Sequence, residues 1–311
     1  MDTTPVIQTR DLTRYYGSTV GVEGLTLEIF PGEIFGFLGP NGAGKTTTIR
    51  LLLDLIRPTR GEAYLFGSPC RDPSIRSRIG YLPGELSLDG RMTGGQTLDF
   101  LSALNEGRGT FRSRRMEICE RLGLFQADLS RKVREYSRGM KQKLGLVSAF
   151  QHEPELLILD EPTTGLDPLV REVVFDLMAE VRERGATVFH SSHVLSEVDR
   201  TCDRVGVLRA GNLVALLSVE EARKTSTRSM VVDFKGDPPL DAIRDADLEV
   251  EKAEGQRVVL KVTGELGPLL GLLAKHPVRH LSFPEPSLEE AFNAFYQGTG
   301  PSPPSTAGRE E

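Results

Sequence analysis

The sequence predicts an α/β protein, a mostly parallel sheet with helices on both faces, followed by a small α+β domain. Three observations carry this. First, the phosphate-loop pattern Gly39-Pro40-Asn41-Gly42-Ala43-Gly44-Lys45-Thr46-Thr47 lies between an apolar, strand-like run (Ile34–Leu38) and a stretch able to continue as a helix (Thr48–Leu53). Second, the run Leu156-Leu157-Ile158-Leu159 ends abruptly in Asp160-Glu161, as suits a strand buried on both faces that opens on a site. Third, beyond the polar joint Arg223–Arg228 the pattern turns to short strands and short helices.

Composition bounds the class. A chain of 311 residues has room for two domains, and 39% apolar with 26% charged residues is ordinary for a soluble globular protein. A net charge of −6 gives no ground for a general nucleic-acid or anionic-lipid surface. No apolar run reaches the length of a membrane span, and Met1–Pro5 has neither a basic nor an apolar leader region. The expectation is a cytosolic protein that meets a membrane only through a partner. Cys70, Cys119 and Cys202 are scattered and read as reduced thiols, and the five histidines form no ligand cluster. A metal site built from side chains alone is therefore not expected.

Taken in order, Val6–Thr9 and Leu25–Ile29 alternate apolar and polar residues, as half-exposed antiparallel strands do. Tyr16, between them, could stack on a nucleotide base or simply pack at a strand end. Ala63–Gly67 and Ile79–Pro83 read as further strands. From about 84 to 152 the pattern is that of amphipathic helices: Thr93 with Gln96 forms a capping box, another helix covers Arg112–Leu122, and a third starts at Ser137. This is a helical insertion within the first domain. Ala186–His190 and Val205–Leu208 repeat the buried-strand pattern, with helices at Pro168–Arg184 and Leu195–Asp199.

The second domain reads as strand Met230–Phe234, helix Leu240–Arg244, hairpin Leu248–Glu251/Arg257–Val262, helix Leu266–Lys275 and strand Val278–Phe283. That is the β-α-β-β-α-β order of ferredoxin-like domains. A last helix is expected from a Ser287/Glu290 cap, with Leu288, Ala291, Phe292 and Phe295 on one face, and residues 298–311 read as a disordered tail. The predicted organisation is 1–222, 229–297 and 298–311.

The chemistry starts from the loop. Its glycines let successive N–H groups point inward, the following helix adds partial positive charge, Lys45 reaches the terminal phosphates and the Thr46 hydroxyl ligates Mg²⁺. Asp160 supplies a carboxylate for the same Mg²⁺, and Glu161 one that can orient and polarise the attacking water. Ser137 as an N-cap and Gly139 in the first turn make a second helix N-terminus that exposes amides suited to phosphate. His193, just after a strand, stands where it could hydrogen-bond a terminal phosphate.

Together these segments, from about Val6 to Leu217, resemble the nucleotide-binding subunit of an ATP-binding-cassette (ABC) transporter. The resemblance implies a P-loop NTPase cassette with an antiparallel β subdomain and a helical insertion. It makes Gly39–Thr46 the Walker A loop, Ser137–Gly139 the signature, Leu156–Asp160 the Walker B strand and Glu161 the catalytic carboxylate. Gly165-Leu166-Asp167 becomes the D-loop, His193 the switch histidine and Tyr16 the base-stacking aromatic. It further implies ATP and Mg²⁺ as cofactors and a head-to-tail dimer with the signature of each copy facing the Walker A loop of the other. A permease on a separate chain would hold the protein at the inner face of the cell membrane. The segment Leu288-Glu289-Glu290-Ala291-Phe292 is similar to one in the drug-resistance (daunorubicin-type) exporter branch, which implies export of an apolar compound.

Two positions depart from the family pattern. Where it has a Gln after the strand Ile79–Pro83, this chain has Gly84 and then Glu85, which is expected to take over part of that role. In the signature, Arg138 and Met140 replace the commoner Gly and Gln. Two other classes fit less well: a soluble ABC-type ATPase acting on ribosomes or DNA, and a non-hydrolysing ATP sensor. The single cassette without sustained heptads weighs against the first, and the intact Lys45, Asp160, Glu161 and His193 against the second.

Overall fold

The computed structural model describes residues 4–104, 111–225, 228–245, 248–262 and 266–283. The expected last helix with its Ser287/Glu290 cap, and the tail 298–311, lie outside them. The described residues fall into two compact units, one reaching to Val219 and the other starting at Glu220.

In the first unit, β1 (Ile7–Tyr16) and β2 (Thr19–Ile29) form a hairpin longer than the alternation at its ends suggests. β3 (Ile34–Leu38) leads through the phosphate loop into α1 (Lys45–Leu52). β4 (Arg60–Leu65) and the short β5 (Ser68–Pro69) return to the hairpin, giving an antiparallel sheet of order β2-β1-β4-β5. After β6 (Ile79–Leu82) comes the helical insertion: α2 (Gly94–Ala103), α3 (Arg112–Arg121), the single turn α4 (Gln126–Leu129) and α5 (Arg138–Phe150). The capping box at Thr93 is present, with its Oγ1 accepting from Gln96 N–H and Gln96 Oε1 accepting from Thr93 N–H.

β7 (Leu156–Asp160), α6 (Pro168–Glu183), β8 (Thr187–Ser192), α7 (Leu195–Thr201), β9 (Arg204–Arg209) and β10 (Asn212–Ser218) complete the unit. The main sheet has six strands in the order β10-β9-β3-β8-β7-β6, parallel except for β10. Every residue of β3, β7 and β8 is buried, because helices cover both faces. Phe35 and Phe189 are register partners with rings stacked 5.9 Å apart, and Phe37 packs at 5.3 Å from Phe189. Burial of each such ring contributes about 2–3 kcal/mol.

This register positions the site. Leu38 pairs with Ser192, and Asp160 with Ser191, so β3, β7 and β8 end level with one another. The phosphate loop, the two acids and the Ser191-Ser192-His193 segment therefore leave one edge of the sheet, although the loop lies more than a hundred residues before the other two.

In the second unit, α8 (Val219–Thr225) begins within the first unit's last residue and covers part of the polar joint. β11 (Arg228–Phe234), α9 (Leu240–Asp245), β12 (Glu249–Glu254), β13 (Arg257–Val262), α10 (Gly267–Leu273) and β14 (Val278–Ser282) follow in β-α-β-β-α-β order. The strand order is β12-β13-β11-β14, with all neighbours antiparallel. Alternation brings Met230, Val232 and Phe234 of β11 and Val258, Leu260 and Val262 of β13 into one core with Ile243, Leu269 and Leu272 from the helices.

Candidate active site

The phosphate loop closes on itself before any ligand is considered. Lys45 is buried, and its Nζ donates to the carbonyl oxygens of Gly39 (2.6 Å) and Pro40 (3.2 Å). Gly44 adopts φ +111, and a Cβ there would stand 2.3 Å from the carbonyl oxygen of Gly21, so no other residue fits. The turn between β9 and β10 braces the loop from below, Gly211 N–H donating to the carbonyl of Ala43 at 3.0 Å.

Three loops meet at Glu161. Its Oε1 lies 3.5 Å from Lys45 Nζ and 3.3 Å from His193 Nδ1, and its Oε2 accepts from Thr164 Oγ1 at 3.2 Å. Next to it, Thr46 Oγ1 donates to Asp160 Oδ2 at 2.7 Å. A hydroxyl and a carboxylate oxygen side by side form the hard-oxygen donor set that suits Mg²⁺, and the buried ammonium of Lys45 suits phosphate. A cleft of about 280 Å³ opens above them, lined by Tyr16, Thr19, Val20, Gly21, Asn41, Gly42, Gly44, Lys45, Thr46, Thr47 and Glu161. Tyr16 is 41% exposed and has the Arg14 guanidinium 4.9 Å from its ring centre. A Cβ on Gly21 would meet that ring at 2.8 Å, so the glycine makes room for it.

The structure thus brings together Tyr16, the loop residues, Thr46, Asp160, Glu161 and His193. Ser137 and Gly139 are not among the residues lining the cleft. Ser137 caps α5, its Oγ accepting from Met140 N–H at 3.2 Å, and Gly139 packs so closely on the 163–167 turn that a Cβ would lie 3.1 Å from Gly165 O. Glu85 does not take the place expected for it: the residue is exposed, and among the described residues it is not one that lines the cleft. Gly84, by contrast, sits against the acid, where a Cβ would stand 3.1 Å from Asp160 Oδ2.

Three functional contacts were not anticipated. Ser191 Oγ, fully buried, donates to Asp160 Oδ1 and accepts from Glu161 N–H. Gln142 of α5 donates to the carbonyl of Pro162 at 3.0 Å, tying the signature helix to the acidic turn. Glu197, a buried carboxylate, accepts from Thr163 Oγ1 (2.9 Å) and Ser192 Oγ (3.0 Å), joining the turns after β7 and β8. Only the Ser191-Ser192 pair at a strand end offered a signal, and it reads equally well as a polar lead-in to His193.

Comparison with known proteins agrees with this geometry. Residues 22–164 match the family described as ABC transporter. The bacitracin transport ATP-binding protein BcrA of Bacillus licheniformis is 34% identical over 297 residues, covering 92% of this chain and 96% of that protein. The Nod factor export ATP-binding protein I of Cupriavidus metallidurans is 35% identical over 298 residues, covering 93% and 96%. A solved structure of an ATP-binding subunit of an ABC transporter superposes with a TM-score of 0.65 at 31% identity, over 70% of this chain and 92% of that one.

The chain belongs to the ATP-binding subunits of ABC transporters, of the drug-exporter type. It is an ATPase whose hydrolysis energises transport through a separate permease. ATP-binding subunits of this family act with membrane permease partners. No described helix is long and apolar enough to cross a membrane.

Proposed function

We propose that the chain works as one half of a head-to-tail pair of identical copies, at the inner face of the cell membrane, and drives export of an apolar or drug-like compound. The observation that carries this reading is the convergence of Lys45 and His193 on one carboxylate oxygen of Glu161, beside the Thr46–Asp160 pair.

In this reading Lys45 leaves the loop carbonyls to bind the terminal phosphates of ATP, while the loop amides hold the rest of the triphosphate. Tyr16 stacks on the base. Thr46 and Asp160 would hold Mg²⁺, which when bound offsets charge on the phosphate oxygens. Glu161 accepts a proton from the attacking water, and His193 fixes the direction of that carboxylate. Ser137 and Gly139 of the second copy close the site with a second helix N-terminus, which accounts for their place outside the cleft of their own chain. A relative named for bacitracin transport supports a drug-like cargo, and one named for Nod factor export supports export as its direction.

The experiment is steady-state hydrolysis by Glu161→Gln. It should bind ATP as the wild type does and turn over at least about a hundredfold more slowly. Wild-type turnover would refute the role given to Glu161.

A further inference from the structure

We infer that Ser191 is a positioning residue for hydrolysis, a single buried hydroxyl that fixes both the metal-binding and the water-activating carboxylates. The inference rests on the roles proposed above for Asp160 and Glu161.

Two bonds define it. Ser191 Oγ donates to Asp160 Oδ1 at 2.5 Å and accepts from Glu161 N–H at 3.0 Å, with the side chain entirely buried. A hydroxyl has one proton, so the acceptance from the amide and the donation to the carboxylate set the direction of the chain N–H(161)→Oγ(191)→Oδ1(160).

The first bond divides the labour of Asp160. With Oδ1 held by Ser191, Oδ2 is turned toward Thr46. Gly84 lies against the same Oδ2 and has no side chain with which to orient the carboxylate. The hydroxyls of Ser191 and Thr46 are left to do it.

The second bond holds a strained residue. Glu161 has φ +51, the left-handed region that residues with a Cβ disfavour, and it precedes Pro162, whose ring narrows the choices of the residue before it. Such a conformation persists only where its surroundings over-determine it. The Ser191 hydroxyl anchors its amide, and the result aims the Glu161 carboxylate at Lys45 and His193. Because His193 lies two residues beyond Ser191, one strand end fixes both the backbone and the side chain of Glu161.

The test uses the full chain with Ser191→Ala, Ser191→Thr and Ser191→Cys. Three quantities are read: ATP affinity in EDTA, the Mn²⁺ concentration that half-saturates ATP-dependent metal binding, and kcat with KM. Outer partners of metal ligands are typically worth about 10–100-fold. Ser191→Ala should therefore lower kcat and raise the Mn²⁺ half-saturation by about tenfold or more, with KM and EDTA affinity within about twofold of the wild type. Ser191→Thr or Ser191→Cys, whichever melts as the wild type does, should recover part of both losses.

Wild-type kcat and Mn²⁺ dependence in Ser191→Ala would overturn the inference, as would a lower melting temperature as its only defect. Glu161→Gln serves as reference. If it turns over normally, the underlying roles fail; if it is inactive while Ser191→Ala is normal, only the inference about Ser191 fails.

Discussion

Thr46 donates its hydroxyl to Asp160 Oδ2 at 2.7 Å, joining the first turn of α1 to the last residue of β7. β3, which feeds α1, is separated from β7 by β8, so this contact spans a strand of the sheet. The pair supplies the oxygens proposed to hold Mg²⁺. Thr46→Ala should weaken ATP binding in Mg²⁺ by about tenfold or more, and in EDTA by much less. Calorimetric titration in the two buffers measures the difference, and equal losses in both would deny Thr46 its metal role.

Glu197 ties the turn after β7 to the turn after β8. Glu197→Leu removes the acceptor of two buried hydroxyls, Thr163 and Ser192, and should destabilise the first unit by about 2–4 kcal/mol. Glu197→Gln keeps an acceptor oxygen and should cost less than half of that. Urea unfolding of the two variants compares them directly.

Much of the site was legible because its signals are local. The phosphate loop, the acids ending an apolar run, the Ser137 cap and the Thr93/Gln96 box each depend on residues close together in sequence, and each stands in the structure. What was missed depends on neighbours distant in sequence. Ser191 acquires its role only because β8 pairs with β7 in a register that sets it opposite Asp160. Glu197, on a short helix, reads as a solvated charge until tertiary packing buries it. β10 escaped for a different reason. Its hairpin turns through Ala210 at φ +48 and Gly211 at φ +84, and alanine gives no sign of a left-handed turn. Glu85 shows that adjacency in sequence is not adjacency in the site, since its side chain is exposed. Gly84, not Glu85, is the residue against Asp160.

A second buried group contributes to the response to acid. Burial pushes His190 from its ordinary 6.5 down to about 4, and its Nε2 lies 3.0 Å from Cys202 Sγ. In the unfolded chain the imidazole takes up a proton near pH 6.5, so between there and about pH 4 the unfolded state holds more protons than the folded one. The stability tied to this residue is complete above pH 6.5 and is lost as pH falls toward 4, by up to about 3 kcal/mol. His190→Gln should flatten that part of the profile, measured as unfolding midpoints across the window. An unchanged slope would mean that other groups set it.

The proposed nucleotide site is shared between two copies, with Ser137 and Gly139 closing the cleft above Lys45 in the other chain. The most direct measurement is the mass in solution of Glu161→Gln with and without ATP, by light scattering, beside the double variant Glu161→Gln/Gly139→Glu. ATP should double the mass of the first and leave the second monomeric although it still binds ATP. A Glu161→Gln chain that binds ATP without changing mass, or a double variant that pairs equally well, would contradict it.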